Sequence, residues 1–380
     1  MAVPKANRAR PKGLIAAPLT AGTRALLLLG LLLVWGCAAP APAPPPTVLP
    51  TAAAATAPTN AYLARPGEQP VGVKAAWCAI SAGFVQMFVA RDYNLFARYG
   101  LDVQTSQFTD SQAALAALQS GEIDFLFCAA AATIPGLATG IDATIVSAPL
   151  VGLPYVMVAR PEVHSVQDLK GRKVGINRQG DLDDRLSHAV LKQENLPVDQ
   201  VQFVPAGGQT DRYKAVLSGV IDAVNVTPPL EVQARVDGLN VIYALKSLPI
   251  PFIYSAIHTN SKTLRERPQV VQKFVAAMAE SVHFIDGHKE ETEQSISRQL
   301  NITDQSALDS AYQAYATDYV NRSVDVPAAA VQDSIDYARE QGTTIARPTA
   351  DQLVDARFAA DLQTSGFLQQ LWGRPIPPSR

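Results

Sequence analysis

From residue 71 onward, stretches that read as strands alternate with stretches that read as helices at short spacing. A chain with that rhythm has few folds open to it, chiefly a parallel sheet with crossover helices. The rhythm also repeats. Ser120-Gly121-Glu122-Ile123-Asp124 and Ser218-Gly219-Val220-Ile221-Asp222 are one phrase, S-G-x-I-D, written twice 98 residues apart. Each copy ends an amphipathic segment (113–118 and 213–217) and precedes an apolar run (125–127 and 223–224). Glycine just past a helix accepts the left-handed conformation that closes it, and Ile-Asp then starts a strand. One helix-stop-strand unit occurring twice predicts two α/β lobes of similar build.

Read in order, residues 71–77 form a first strand and 84–99 an aromatic-rich helix closed by Gly100. A second strand at 101–104 leads to Thr109 and Asp110, caps for a helix running to Gln119. Strands follow at 125–127 and 143–146, and the pattern at 151–158 turns strand-like with no preceding helix. The alternation restarts with a strand at 173–176, a helix over 181–195 and strands at 201–204, 223–224 and 241–244. Residues 253–257 read as a strand returning to the first lobe, and beyond Arg267 the pattern is almost wholly helical. The first lobe is therefore expected to be discontinuous, 71–154 with 249–345, and the second to be inserted at 155–248. Two crossings between lobes make a hinge, and 346–380 is expected to be a helical tail packed on lobe one.

Residues 1–36 carry Lys5, Arg8, Arg10, Lys12 and Arg24 with no acids, then a ten-residue apolar run at 25–34. That run suits the core of an export signal and is short for a bilayer span. Val34-Trp35-Gly36-Cys37 resembles the bacterial lipoprotein box, with Cys37 as the acylated residue, although Trp35 is bulkier than that pattern carries. Residues 37–70 hold nine prolines among Ala and Thr and read as an extended tether. Removing 1–36 leaves 27 basic against 34 acidic residues, a net charge of −7 that argues against nucleic-acid partners. Besides Cys37 only Cys78 and Cys128 remain, which is neither a disulfide scaffold nor a zinc spacing. The five histidines (His164, His188, His258, His283, His288) are scattered, so neither metal nor cofactor is expected.

Three longer motifs carry a family resemblance. Asn94-Leu95-Phe96-Ala97-Arg98-Tyr99-Gly100-Leu101-Asp102-Val103 is similar to G-L-F-x-x-x-G-L-D-V, with Asn94 replacing the usual glycine. Residues 115–124 match L-x-x-L-x-S-G-x-x-D, and 166–175 match D-L-K-G-K-K-V-G. Over roughly 71–345 the chain resembles the substrate-binding proteins of ABC transporters, in the SsuA/THI5-like branch that serves nitrate, sulfonates, taurine and thiamine-pyrimidine precursors. The resemblance implies an α/β, type II periplasmic-binding-protein fold, no catalysis, and hinge closure around a small organic solute (sulfonate-, pyrimidine- or aromatic-acid-like). It also implies a monomer that delivers to an ABC permease with its ATPase, exported and lipid-anchored at the cell membrane. A ligand-sensing lipoprotein presenting its closed form to a membrane receptor is the alternative. A thiamine-pyrimidine synthase-like enzyme is a third reading, weakened by the lack of a cysteine-rich cluster.

Ligands of open α/β sheets bind beyond the carboxyl ends of strands. On that rule the candidates in lobe one are Ser81, Ala82, Gly83, Phe84, Thr109, Asp110, Cys128 and Ala129. Tyr155 lies at the crossing, and lobe two offers Arg178, Gln179, Gly180, Gly208, Gln209, Asn225 and Thr227. Arg178 is the basic residue of these loops and a partner for an acidic ligand group, opposed by Asp181, Asp183 and Asp184 close behind it. Trp77, Phe84, Phe108 and Tyr155 are candidates to stack a planar ring, or to be core. The family's sheet order makes Cys78 and Cys128 neighbours, either disulfide-bonded at the cleft floor or as two buried thiols. Asp124 and Asp222 read as strand-end or capping carboxylates rather than ligand contacts.

Overall fold

The computed structural model describes residues 60–108 and 110–379. The expected leader, Cys37 and the tether up to residue 59 lie outside the described residues, as does Thr109. Residues 60–70, assigned above to the tether, lie against the body. Tyr62 and Leu63 supply apolar surface among the prolines, and the Tyr62 hydroxyl donates to Asp361 Oδ2 at 2.7 Å.

The first half of the chain runs β1 (Val71–Trp77), α1 (Val85–Asp92), α2 (Leu95–Arg98), β2 (Leu101–Gln107), α3 (Ser111–Ser120), β3 (Phe125–Cys128), α4 (Ala130–Ala138) and β4 (Thr144–Val151). The middle runs β5 (Val156–Ala159), β6 (Lys173–Ile176), α5 (Leu182–Gln193), β7 (Gln202–Pro205), α6 (Gln209–Leu217), β8 (Ala223–Val226), α7 (Leu230–Val236) and β9 (Asn240–Ala244). Then come β10 (Ile253–Thr259), α8 (Ser261–Glu266), α9 (Pro268–Gly287), α10 (Lys289–Leu300), α11 (Gln305–Tyr312), a π-helical turn (Gln313–Asp318), α12 (Ala328–Glu340), α13 (Arg357–Thr364) and α14 (Phe367–Trp372). The helix expected over 84–99 is broken at Asn94, which adopts φ 53°, so α1 and α2 are separate. Asparagine tolerates that left-handed backbone where most residues do not.

Among the described residues the strands form two five-stranded sheets, ordered β2-β1-β3-β10-β4 and β7-β6-β8-β5-β9. Each sheet is mixed rather than wholly parallel, and the reason is the crossing. The chain leaves β4 at its carboxyl end, spans residues 152–155, and enters the other sheet as β5, antiparallel to β8 and β9. It returns through 245–252 as β10, antiparallel to β3 and β4. A short link between facing carboxyl edges forces each arriving strand to run against its hosts. The core is thickest where α9 covers the first sheet: Phe274 stacks on Phe125 and Phe96, with ring centres 3.9 and 5.1 Å apart. No helix among the described residues is long and apolar enough to cross a membrane.

Candidate functional site

The carboxyl ends of the first sheet are held together by covalent and hydrogen bonds. Cys78, one residue past β1, is disulfide-bonded to Cys128, the last residue of β3, with Cα atoms 5.2 Å apart. Beyond it Ser81 caps the short turn Ala82–Phe84, its Oγ accepting from the Gly83 N–H at 3.1 Å. The same Oγ lies 3.2 Å from the Tyr254 hydroxyl. Tyr254 sits so close to Gly83 that a Cβ there would collide with its ring. Ser255 completes the contact by donating to the Gly83 carbonyl at 3.3 Å.

Tyr254 is the centre of three tyrosines drawn from distant parts of the chain. Tyr155 comes from the first crossing, Tyr254 from β10, and Tyr315 from the π-helical turn. Ring centres are 6.1 Å apart for Tyr155 and Tyr254, and 5.5 Å for Tyr254 and Tyr315. The hydroxyls of Tyr254 and Tyr315 lie 3.4 Å apart, and Tyr315 donates to the Pro228 carbonyl at 3.1 Å. A widened turn of this kind recurs at functional sites; here the Tyr315 carbonyl accepts from buried Gln86 Nε2 at 3.1 Å. Burial holds the hydroxyls of Tyr155 and Tyr315 well above their ordinary pKa, so both stay protonated. The trio thus links Ser81 of the first sheet to Pro228 of the second.

The second sheet contributes a buried polar cluster. Arg212, 3% exposed on α6, pairs with Asp183 on the first turn of α5 at 2.9 Å and donates to the Gly207 carbonyl at 2.7 Å. Burial pushes the Asp183 carboxyl up to about 6 despite Arg212, and Asp181 adds to the rise. Asn225 on β8 donates to Ser187 Oγ at 2.9 Å and to the Asp183 carbonyl at 3.4 Å. The Thr227 N–H and hydroxyl both donate to Gln209 Oε1, at 3.1 and 3.2 Å. Asn225 Oδ1 and Arg212 Nε are buried without a partner among the described residues. Aromatic faces and spare hydrogen-bonding atoms at the edges of two sheets are the ingredients of a small-molecule cleft.

Of the residues named from sequence, the structure gathers Ser81, Gly83, Tyr155, Gln209, Asn225 and Thr227 into or beside this arrangement. Ala82 is buried in the turn that Ser81 caps, and Ala129 stands at the start of α4. Phe84 is core, edge-on to Phe127 at 5.3 Å, and Trp77 packs on Phe88 at 5.4 Å. The Phe108 N–H continues the sheet to the Trp77 carbonyl, and Asp110 caps α3 through the Ala113 N–H. Arg178 and Gln179 are exposed, Gly180 donates to Asp184, and Gly208 is exposed at the head of α6. Arg212, Tyr254 and Tyr315 escaped sequence reading. Arg212 sits past the loop within a polar helix, and the two tyrosines match ordinary strand and helix patterns. His258 lies apart in the core, between the Leu126 carbonyl and Thr133. No group of three His, Cys, Asp or Glu among the described residues could hold a metal ion.

A family model described as NMT1/THI5 like matches residues 81–292, more than half of the chain. A relative named as a binding protein in Brucella abortus (strain 2308) is 27% identical over 207 residues, 54% of this chain and 64% of that protein. The match therefore spans under two thirds of that relative's length. The periplasmic aliphatic sulphonate-binding protein SsuA from Escherichia coli superposes with a TM-score of 0.63 at 19% identity, covering 75% of this chain and 98% of that one. The periplasmic nitrate-binding protein NrtA from Synechocystis PCC 6803 does so with 0.60 at 14% identity, covering 81% and 92%. At these identities the likeness is one of fold, the periplasmic-binding-protein fold.

Proposed function

Because this chain belongs to the NMT1/THI5-like family, we propose that it is the solute-binding component of an ABC importer. It captures a small organic molecule between two lobes, 71–154 with 249–345 and 155–248, and hands it to a permease with its ATPase. The observation that carries this reading is the tyrosine trio. Three rings from the crossing, the returning strand and the π-helical turn stand between the carboxyl edges of two sheets and touch both. A solute entering there contacts both lobes at once, so its binding energy biases the hinge toward closure.

Cys37 in the lipoprotein-like box, with the proline-rich run behind it, supports lipid anchoring outside the cytoplasm on a leash. A binding rather than a catalytic role is supported by the bonding of Cys78 to Cys128 and by the seclusion of His258 in the core. Titration calorimetry with small-angle scattering across sulfonates, pyrimidines, aromatic acids and neutral heterocycles tests the reading. At least one solute is expected to bind and to reduce the radius of gyration. Binding to none, or binding without compaction, would overturn it.

A further inference from the structure

The charge on the second-sheet side of the cleft is set by one ion pair. Arg212 is almost fully enclosed, with Nη1 on the Gly207 carbonyl, Nη2 on Asp183 at 2.9 Å, and Nε unpartnered among the described residues. Nε–H and the Nη2–H beside it are the fork with which a guanidinium grips an oxyanion by two bonds. Asp183 already pairs with Nη2 and cancels the charge. Three groups face the Asp183 carboxyl: Arg212 from α6, Asp181 from its own helix cap, and the Tyr155 hydroxyl from the crossing; the Asn225 amide from β8 reaches only the Asp183 main-chain carbonyl. With Asp183 ionised, that neighbourhood holds two carboxylates against one guanidinium. An arriving sulfonate or nitrate would lose its hydration to meet a spent arginine and a net negative wall, which is unfavourable in a buried site.

Resting on the reading of this cleft as the solute site, we propose that Asp183 is its specificity-determining residue. It withholds Arg212 from oxyanions, so the cleft rejects sulfonates and nitrate and admits a neutral solute whose carbonyl or ring nitrogen accepts from the Arg212 Nε–H. The assignment separates this chain from the sulphonate- and nitrate-binding proteins that share its fold. The swap is local: removing one negative charge leaves the Arg212 charge uncompensated, so that an oxyanion accepting from Nε–H can neutralise it.

Calorimetric titration of ethanesulfonate into wild type, Asp183→Asn, and Asp183→Asn with Arg212→Gln tests it at about pH 8. Wild type is expected to give no measurable binding. Asp183→Asn keeps the shape without the charge and is expected to gain at least about tenfold in affinity, roughly one ion-pair increment; Arg212→Gln should remove the gain. A second arm needs no substitution. Lowering the pH to about 5 protonates Asp183, whose carboxyl is pushed up to about 6, and should raise wild-type affinity for ethanesulfonate while leaving Asp183→Asn flat. Wild type binding ethanesulfonate at about pH 8 as tightly as Asp183→Asn would overturn the assignment while upholding the solute site. Silence of every variant at both pH values would also overturn it, and the scattering screen on neutral solutes then judges the parent reading separately.

Discussion

His258 and Asp183 are both enclosed ionisable side chains, and enclosure moves them in opposite directions. Burial lowers the His258 ring to about 4 from an unfolded value of 6.5, although its Nδ1–H bond to the Leu126 carbonyl pulls the other way. Between those values the unfolded chain binds a proton that the folded chain refuses, so stability falls as pH drops from 6.5 to 4. The loss is about 3 kcal/mol when complete. Asp183 is raised to about 6 from 3.8, so the folded chain is the better proton acceptor, and stability rises by a similar amount as pH drops through that window. The two nearly cancel in the wild type. Asp183→Asn is expected to uncover the histidine's loss, and denaturant midpoints measured at about pH 7 and pH 4 check it. A variant whose midpoint does not fall would remove His258 as a buried neutral group.

The duplicated phrase does the same work in both sheets. Gly121 and Gly219 close α3 and α6 with φ of 77° and 76°. Asp124 Oδ2 accepts the N–H of Lys74 in β1 at 2.9 Å, and Asp222 Oδ2 accepts that of Lys173 in β6 at the same distance. In return the N–H of each aspartate donates to the carbonyl of the same lysine at 2.8 Å. Each carboxylate also holds an arginine, Arg267 at 2.9 Å and Arg172 at 3.3 Å. Nothing lies near a Cβ added at Gly121, so Gly121→Ala should cost only the left-handed backbone penalty of about 1 kcal/mol. Gly219→Ala should cost about the same, because what its Cβ meets is the flexible, partly exposed end of Arg160, which can swing aside. Urea midpoints of the two variants compare them; a markedly larger loss at Gly219 would show that Arg160 is held in place. These units were legible in sequence because caps, stops and alternation are decided within a few residues; the break at Asn94 was not, because the aromatic spacing runs straight through it. The π-helical turn, the placement of Tyr254 and Tyr315, and the Arg212 pairing were not. Each is fixed by partners far along the chain, such as Gln86 on Tyr315, and leaves no local mark.

Across the whole molecule, helices that follow the returning strand clasp the second sheet on two rims. On one, Arg185 of α5 pairs with Asp333 of α12 at 2.6 Å and lies over the Tyr337 ring at 4.5 Å, while the Tyr337 hydroxyl donates to the Asp181 carbonyl at 3.4 Å. On the other, Ser310 of α11 donates to Glu231 of α7. If closure is the working motion, these are contacts of the closed form. The Arg185 side chain is only 15% exposed, so Asp333→Ala should cost that form about 1 kcal/mol, roughly a fivefold shift toward opening. Scattering without solute would then give a larger radius of gyration; an unchanged radius would show that the pair adds nothing to closure. The exchanged strands carry a different consequence. Because β10 lies between β3 and β4, the first sheet stays gapped during synthesis until residue 259 has been made, long after its other four strands. The second sheet, by contrast, comes from one unbroken run, β5 to β9, complete once residue 244 has been made. The first half therefore stays open while the second is threaded through it, and the nascent chain stays unfinished over most of its length.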